Sequence, residues 1–423
     1  MEMFVVQGGS PLHGSVRVSG AKNSALPIMA ATLMSTGISQ LHGIPHLVDV
    51  RTLSKLLCSL GMKIERNEND CLQCEVVSEH STKAEYELVR QMRASICVLG
   101  PLLAKRGRAI VSLPGGCHIG HRPVDLHLKG LQALGANITI QQGYIVAEAK
   151  QLKGTAINLT GPLGSSVTGT CNIMAAATLA KGCTTITGAA CEPEVVDLGC
   201  FLNKMGANIL GLGSAEIVIE GVEHLTEAEQ TIIPDRIEAA TLLIAAAITG
   251  GSIQLNHVRP DHMKAVIATL SEMGFQIECS ENSISIQSHG KPLSISCTTK
   301  SYPGFPTDVQ AQLMALLSLA EGTSRMTETV FPDRFMHVQE LVRLGANIER
   351  QGASAIVSGV KKLNGAHVMA SDLRASAALV IAALAAEGET VIRRIYHLDR
   401  GYEHLEKKLT QLGAVIERLQ DEQ

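Results

Sequence analysis

The segment Leu134-Gly135-Ala136-Asn137-Ile138 decides the fold, because close copies of it recur along the chain. Each copy keeps a leucine or methionine, a glycine and an isoleucine, with the glycines at positions 61, 135, 206, 274, 345 and 413. The separations between these glycines are 74, 71, 68, 71 and 68 residues. Because glycine is favoured just past a helix end, each copy predicts a helix that ends and a strand that begins.

A second glycine marks each repeat, at positions 37, 107, 182, 251, 322 and 388. Each follows an apolar helical segment and precedes a short β-rich run such as Cys183-Thr184-Thr185-Ile186. The chain of 423 residues is therefore predicted to be an α/β protein with six internal repeats, each holding two helices and several strands. Three repeats in each of two domains give domains of ordinary size.

Composition argues against several classes of protein. The net charge is −4, tryptophan is absent and aromatic residues are 3% of the chain, which speaks against a nucleic-acid partner. No unbroken apolar run has transmembrane length, and the N-terminus does not resemble a signal peptide, so we expect no membrane insertion. The 11 cysteines show no paired zinc-site spacing, and free thiols fit a cytoplasmic location.

The apolar helix of each repeat is predicted to start on a polar residue: Lys22-Asn23, Arg93, Ser166, Arg236, Asp308 and Arg374. Ser166 and Asp308 are ordinary helix caps. Positive charge at Lys22, Arg93 and Arg374 opposes the helix dipole, at a cost of roughly 0.3–1 kcal/mol each unless an anion offsets it. These helix starts therefore predict a site for phosphate and carboxylate groups; the alternative is ordinary capping beside solvated arginines.

A segment rich in glycine and proline, Leu113 to His127, holds a cysteine, Cys117, five positions before Arg122. Pro123 is typical of a first helical residue, and Val124 to Leu134 has helical spacing, so Arg122 is expected at the positive end of a helix. A thiol near that charge would become nucleophilic or serve as a proton donor. The alternative is a surface loop with an incidental thiol.

These segments resemble the UDP-N-acetylglucosamine enolpyruvyl transferase family, a branch of the EPSP synthase-like enzymes, over residues 1 to 420. The most specific motifs are Ser19-Gly20-Ala21-Lys22-Asn23-Ser24-Ala25-Leu26-Pro27, Met92-Arg93-Ala94-Ser95, Leu113 to His127, Pro234-Asp235-Arg236-Ile237-Glu238, Phe305-Pro306-Thr307-Asp308, Arg334-Phe335-Met336-His337-Val338, Asp372-Leu373-Arg374-Ala375-Ser376, and Tyr396-His397-Leu398-Asp399-Arg400-Gly401-Tyr402.

The resemblance implies a two-domain inside-out α/β barrel, with three βαβαββ-type units in each domain. It implies one domain of residues 22–232, carrying a catalytic cysteine loop at 114–123, and a second of residues 1–21 plus 233–423. The active site is expected in the cleft between the domains.

The implied reaction transfers the enolpyruvyl group of phosphoenolpyruvate to the 3′-hydroxyl of UDP-N-acetylglucosamine. It passes through a tetrahedral intermediate, releases phosphate and commits the sugar to peptidoglycan synthesis, hence to cell-wall growth and division. No metal or organic cofactor is implied, and the oligomeric state is left open.

The resemblance also implies residue roles. Lys22, Arg122 and Arg400 would hold phosphoenolpyruvate, and Arg374 would add to the same positive field. Asp308 would take the proton from the sugar hydroxyl. Cys117 would either protonate the methylene carbon or attack C2 to form a pyruvate adduct, and it would be the residue alkylated by fosfomycin.

The other implied residues face the sugar nucleotide. Asn23 would orient the sugar, Asp125 would read the uracil edge, and the remaining positions are Arg93, Arg122, Pro123, Val124, Leu126, Ser166, Val167, Val330 and Arg334. The chain departs from the family at the diphosphate-binding element, which reads Gly164-Ser165-Ser166-Val167-Thr168. Its lysine is missing and Thr168 replaces a glycine, while Cys97 and Pro332 are further departures.

Two alternatives remain. The related shikimate-pathway transferase is disfavoured, because its Lys-Ser opening and its Asn-Gly-Thr-Ala-Met-Arg stretch are not found and the Gly-Gly-Cys loop argues against it. A non-catalytic regulatory paralogue that binds UDP-N-acetylglucosamine is disfavoured by the presence of Lys22, Cys117, Asp308 and Arg400. Such a paralogue would bind the sugar nucleotide without releasing phosphate.

Overall fold

The computed structural model describes residues 2–113, 124–288 and 290–421. Contacts between Cα atoms divide these residues into two compact units. The terminal unit contains residues 2–19 and 234–421, and the central unit contains residues 20–113 and 124–233. The chain passes from one unit to the other at residues 19–20 and 233–234.

The α-helices of the described residues are α1 (Lys22–Ala31), α2 (Val48–Ser59), α3 (Tyr86–Val89), α4 (Leu99–Arg106), α5 (Asp125–Ala133), α6 (Val167–Ala177), α7 (Pro193–Lys204), α8 (Arg236–Ile248), α9 (Lys264–Glu272), α10 (Gln310–Leu317), α11 (Val338–Arg343), α12 (Leu373–Ala385) and α13 (Leu405–Gln411). Short 3₁₀ helices cover Thr32–Met34, Arg93–Val98, Pro260–His262, Thr307–Val309 and Ile395–Arg400. None of the described helices is long and apolar enough to cross a membrane.

The strands are β1 (Glu2–Gln7), β2 (His13–Arg17), β3 (Ile38–His42), β4 (Met62–Arg66), β5 (Leu72–Val76), β6 (Lys83–Ala84), β7 (Arg108–Ser112), β8 (Asn137–Gln141), β9 (Tyr144–Glu148), β10 (Ala156–Asn158), β11 (Thr160–Gly161), β12 (Gly164–Ser165), β13 (Cys183–Thr187), β14 (Asn208–Leu210), β15 (Glu216–Glu220), β16 (Glu229–Thr231), β17 (Ser252–Asn256), β18 (Gln276–Cys279), β19 (Ser283–Gln287), β20 (Ser296–Thr298), β21 (Thr323–Thr327), β22 (Asn347–Gln351), β23 (Ser354–Ser358), β24 (His367–Met369), β25 (Glu389–Arg393) and β26 (Val415–Gln420).

Each of the six repeats forms a four-stranded sheet with the same strand pattern. In one of them β10 pairs parallel with β13, β13 pairs antiparallel with β15, and β15 pairs antiparallel with β14. Helix α6 connects the parallel strands and α7 leads to the antiparallel pair. The predicted βαβαββ unit is therefore confirmed.

Some sheets are completed by strands from distant parts of the sequence. In the terminal unit β2 pairs with β17, with Gly14 opposite Ile253, and β1 lies between β25 and β26. In the central unit β16 pairs with β3, with Gln230 opposite Leu41. The two N-terminal strands thus belong to sheets whose other strands all come after residue 250.

The repeat glycines adopt the conformation that the sequence pattern requires. Gly61, Gly135, Gly206, Gly274, Gly345 and Gly413 all have positive φ, between 89° and 104°. This left-handed conformation is accessible to glycine at little cost and ends each helix where the next strand begins.

The core of each unit is made of helices rather than of a central sheet. Helices α8, α10 and α12 contact one another in the terminal unit, and α4 and α6 do so in the central unit. Helices α6, α8, α10 and α12 are almost wholly buried, whereas strands such as β15 alternate buried and less buried residues. Burying a leucine or isoleucine contributes about 1.5–3 kcal/mol, so this apolar helix packing is the main source of stability. The expected inside-out arrangement is confirmed.

Candidate active site

The predicted helix starts are all found at helix starts in the structure. Lys22 begins α1, Arg93 begins the 3₁₀ turn that leads into α4, and Arg236 begins α8. Ser166 caps α6, because its Oγ accepts a hydrogen bond from the N–H of Gly169 at 3.1 Å. Asp308 lies in the 3₁₀ turn before α10, and Arg374 is the second residue of α12.

The ammonium group of Lys22 is paired within the central unit. Its Nζ lies 2.6 Å from Oδ2 of Asp49, which is in the first turn of α2. The side chains are 10% and 2% exposed. Asn23 follows Lys22 on α1 and is half-buried. A buried lysine needs such a counter-charge. A bound anion could pair with the ammonium group of Lys22 alongside Asp49.

Asp308 is held between two arginines of the terminal unit. Its Oδ1 lies 2.8 Å from Nη1 of Arg334, and its Oδ2 lies 3.5 Å from Nη2 of Arg374. The arginine side chains are 7% and 4% exposed, whereas that of Asp308 is 30% exposed. The two guanidinium groups favour the carboxylate form of Asp308, and its exposed part can accept a proton from a ligand.

Arg374 is fixed by an aromatic ring and a helix cap. Its guanidinium carbon lies 5.3 Å from the centre of the Tyr402 ring. Asp372 caps α12 by accepting a hydrogen bond from the N–H of Arg374 at 2.9 Å. Burial opposes the charge of Arg374, but Tyr402 and Asp308 outweigh it and raise the pKa of the guanidinium. Among the described residues no acceptor meets the buried Nη1 of Arg374.

The Tyr402 hydroxyl belongs to a buried polar network. It lies 2.9 Å from Oγ1 of Thr241, and it accepts a hydrogen bond from Nε2 of Gln312 at 3.1 Å. The same amide nitrogen donates to the backbone carbonyl of Asp308 at 2.9 Å. Helices α8 and α10 and the segment that carries Tyr402 are thereby linked to the turn that carries Asp308.

Glu328 connects that turn to the neighbouring loop. Its Oε1 accepts hydrogen bonds from the N–H groups of Val330 and Phe331, at 2.8 and 2.9 Å. Its Oε2 accepts one from the Thr307 hydroxyl at 2.8 Å, and the oxygen of Thr307 accepts one from Nη1 of Arg334 at 3.0 Å. The carboxylate of Glu328 is fully buried, so Val330, Arg334 and the Asp308 turn share one fixed scaffold.

Several of the residues predicted to face the sugar nucleotide lie in the central unit. Asp125 is exposed in the first turn of α5, and Leu126 is half-buried beside it. Leu126 packs over the turn between β11 and β12, since a Cβ placed on Gly161 would lie 3.1 Å from its Cδ1. Burial lowers the pKa of the His127 imidazole on α5, and the nearby charge of Arg93 lowers it further.

Comparison with known proteins identifies the family of this chain. The family model of EPSP synthase (3-phosphoshikimate 1-carboxyvinyltransferase) matches residues 6–409. A UDP-N-acetylglucosamine 1-carboxyvinyltransferase from Methylacidiphilum infernorum is 51% identical over 419 residues. One from Myxococcus xanthus is 53% identical over 420 residues. Each alignment covers 99% of both proteins.

The chain belongs to the UDP-N-acetylglucosamine 1-carboxyvinyltransferase family. Members of this family are transferases, and the prediction that the chain is an enzyme of this class is confirmed.

Solved structures show the same fold beyond the close relatives. The enolpyruvyl transferase NikO from Streptomyces tendae superposes with a TM-score of 0.88 at 25% identity, covering 99% of this chain and 98% of its own. EPSP synthase from Acinetobacter baumannii superposes with a TM-score of 0.75 at 18% identity, covering 99% and 100%. The latter likeness shows the shared fold alone, so the shikimate-pathway alternative gains no support from it.

The remaining predicted residues of this carboxyvinyltransferase family member are Arg400, Val124 and three positions of the cysteine loop. Arg400 is half-buried at the end of the 3₁₀ helix Ile395–Arg400. Cys117, Arg122 and Pro123 lie outside the described residues. Helix α5 begins at Asp125, with Val124 as the residue before it, so the predicted helix is confirmed except for one residue at each end.

Sequence reasoning missed the side chains that hold the site residues in place. These are Asp49, Thr241, Gln312, Glu328 and Tyr402, each of which is buried. A carboxylate in the first turn of α2 was a usable signal for Asp49, because acidic residues favour that position. The other partners are brought in by tertiary packing, which leaves no local pattern.

Proposed function

We propose that this family member transfers the enolpyruvyl group of phosphoenolpyruvate to the 3′-hydroxyl of UDP-N-acetylglucosamine and releases phosphate. The observation that carries the proposal is the carboxylate of Asp308, held by Arg334 and Arg374 but still 30% exposed. A fixed, ionised and accessible carboxylate is suited to remove a proton from a hydroxyl. The curated relatives' names support the choice of sugar nucleotide.

The reaction balances as an addition followed by an elimination. Asp308 takes the proton of the 3′-hydroxyl while that oxygen bonds to C2 of phosphoenolpyruvate, and an acid adds a proton to C3. The C2–phosphate bond then breaks and C3 loses a proton, which regenerates the double bond. Cys117 is proposed as the acid, with attack of its thiolate on C2 as the alternative role.

The substrates bring several negative charges, and the proposed ligands are cationic. Lys22, Arg122 and Arg400 would bind the phosphate and carboxylate of phosphoenolpyruvate, because guanidinium groups can bind both in a bidentate way. Arg374 would contribute through its buried Nη1. Asn23, Arg93, Val124, Asp125, Leu126, Ser166, Val167 and Val330 would contact the sugar nucleotide.

The proposed reaction supplies a precursor of peptidoglycan, which places the enzyme in the cytoplasm. The cysteines of the described residues are free thiols, which fits a reducing compartment. The same proposal makes Cys117 the residue that fosfomycin alkylates. Mass spectrometry of the treated protein, with Cys117→Ala as control, would locate the adduct.

Release of phosphate from phosphoenolpyruvate tests the proposal directly. The wild type, Asp308→Asn and Cys117→Ala are each assayed with and without UDP-N-acetylglucosamine. We expect release only with the sugar nucleotide, and a loss of about 10²–10⁴-fold in Asp308→Asn, because a general base contributes that much. A wild-type protein that binds UDP-N-acetylglucosamine but releases no phosphate would instead be the regulatory paralogue.

A further inference from the structure

The buried imidazole of His127 joins three segments of the central unit that carry predicted nucleotide ligands. His127 lies in the first part of α5, directly after Asp125 and Leu126, and is 2% exposed. Its two ring nitrogens contact Asn172 and Thr168, both on α6. Asn172 in turn contacts the segment from Arg93 to α4.

The hydrogen bonds of Asn172 settle which nitrogen of His127 carries the proton. The N–H of Gly100 can only donate, so the Asn172 oxygen that lies 2.8 Å from it must be the acceptor Oδ1. Nδ2 of Asn172 therefore donates to the carbonyl of Ile96 at 2.9 Å and to Nδ1 of His127 at 2.8 Å. Since Nδ1 is an acceptor, the proton is on Nε2.

The protonated Nε2 of His127 donates to the hydroxyl oxygen of Thr168 at 3.1 Å. Burial lowers the pKa of His127 to about 3, and the charge of Arg93 acts in the same direction. The imidazole is thus neutral at any physiological pH, and Nε2 remains a donor. Thr168 is the second residue of α6, directly after Ser166 and Val167.

The link between α5 and α6 depends on the side chain of Thr168. A glycine could not accept this hydrogen bond. The hydroxyl therefore ties the first turn of α6 to α5, while Leu126 packs over the β11–β12 turn that leads into α6. The Thr168 contact holds the residue after Ser166 and Val167, and the Leu126 contact holds the turn before them. Together they fix Ser166 and Val167 relative to Asp125.

We propose that the hydrogen bond from His127 to Thr168 positions the first turn of α6 for the diphosphate of the sugar nucleotide. His127 and Thr168 are then positioning residues that set the affinity for UDP-N-acetylglucosamine and leave the chemical step unchanged. The inference rests on the proposed function, because it requires a sugar nucleotide bound at this helix start. Helix N-termini favour anions such as diphosphate, and their alignment decides how well the N–H groups meet the oxygens.

Two matched pairs of variants test this role. Thr168→Val keeps the side-chain shape without the hydroxyl, and Thr168→Ser keeps the hydroxyl. His127→Asn can replace Nδ1 but does not reach Thr168, whereas His127→Gln can place an N–H donor where Nε2 lies. KM for each substrate, kcat, and calorimetric binding of UDP-N-acetylglucosamine are measured for all four variants and the wild type.

We expect Thr168→Val and His127→Asn to raise both KM and Kd for UDP-N-acetylglucosamine about tenfold, which corresponds to about 1.4 kcal/mol. Their kcat and their KM for phosphoenolpyruvate should stay within about twofold, and Thr168→Ser and His127→Gln should bind nearly as the wild type. Nitrogen NMR of the wild type should show His127 protonated at Nε2 and not titrating between about pH 5 and 8.

The outcomes separate this inference from the proposed function. An active wild type with an unchanged Kd in Thr168→Val overturns the positioning role alone. Equal losses in Thr168→Val and Thr168→Ser also overturn it, since packing rather than the hydroxyl would then matter. A wild type that neither binds UDP-N-acetylglucosamine nor releases phosphate overturns the proposed function, and the positioning role with it.

Discussion

The ammonium nitrogen of Lys22 and a carboxylate oxygen of Asp49 lie 2.6 Å apart, and both side chains are almost completely buried. Removing one charge of a buried pair leaves the other uncompensated, which costs about 3–5 kcal/mol. We therefore expect Asp49→Asn to lower the free energy of unfolding by about 3 kcal/mol in denaturant titrations. The exposed pair of Lys63 and Glu65 offers a control, since Glu65→Gln should change stability by less than about 1 kcal/mol.

Inorganic phosphate should partly rescue Asp49→Asn. An anion bound beside Lys22 would replace the missing carboxylate, so phosphate should raise the melting temperature of the variant more than that of the wild type. An equal shift in both proteins would show that the anion does not bind at Lys22.

The Thr307 hydroxyl links Glu328 to the arginine that holds Asp308. Thr307→Val would remove the hydrogen bond to the buried Oε2 of Glu328 and one of the two acceptors of Nη1 of Arg334, at a cost of about 1–3 kcal/mol. Because Arg334 loses an anchor, we expect kcat to fall about tenfold, corresponding to about 1.4 kcal/mol. Thr307→Ser should retain most activity, and steady-state kinetics of the two variants decide the point. Equal kcat values in the two variants would show that the Thr307 hydroxyl does not matter for catalysis.

Tyr402 makes two separable contacts, since its ring lies against Arg374 and its hydroxyl bonds to Thr241. Tyr402→Phe removes only the hydroxyl, so we expect unfolding free energy to fall by about 1–2 kcal/mol with little change in KM for phosphoenolpyruvate. Tyr402→Leu also removes the ring under the guanidinium and should raise that KM. If both variants had the same KM, the ring would have no part in placing Arg374.

Glu238 on α8 should make stability depend on pH. Burial raises its pKa to about 7, although Lys408 and the N–H of Ser19 lower it. The folded protein therefore binds a proton that the unfolded chain has lost, between about pH 4.5 and 7. Stability from this group is fully present below pH 4.5 and is lost as pH rises through 7, by about 3 kcal/mol in all.

Glu238→Gln tests this dependence, because glutamine cannot titrate. The difference in unfolding free energy, wild type minus variant, should fall by about 3 kcal/mol from pH 4.5 to 7.5. A difference that stays constant with pH would mean that Glu238 has a similar pKa in the folded and unfolded states. Glu65→Gln again provides an exposed control.

The periodic parts of the fold could be predicted from the sequence, and the fixed side-chain pairs could not. Glycines such as Gly135 and Gly206 mark helix ends by local backbone geometry, so six repeats and their helix starts were visible in one chain. The pairing of Asp308 with Arg374 joins residues 66 positions apart, and no local rule specifies such a partner. Thr168 illustrates the same limit. The sequence marks it only as a departure from the resembled family's motif, whereas the structure shows that it bonds to His127.

The strand order has a consequence for synthesis on the ribosome. Strands β1 and β2 emerge first, but β2 needs β17 at Ser252–Asn256, and β1 needs β25 and β26, the last of which ends at Gln420. At about 5–20 residues per second, the chain between β1 and β26 takes on the order of 20–80 s to make. All strands of the central unit have been synthesised once β16 is made. The central unit can therefore fold before the partner strands of β1 and β2 have been synthesised.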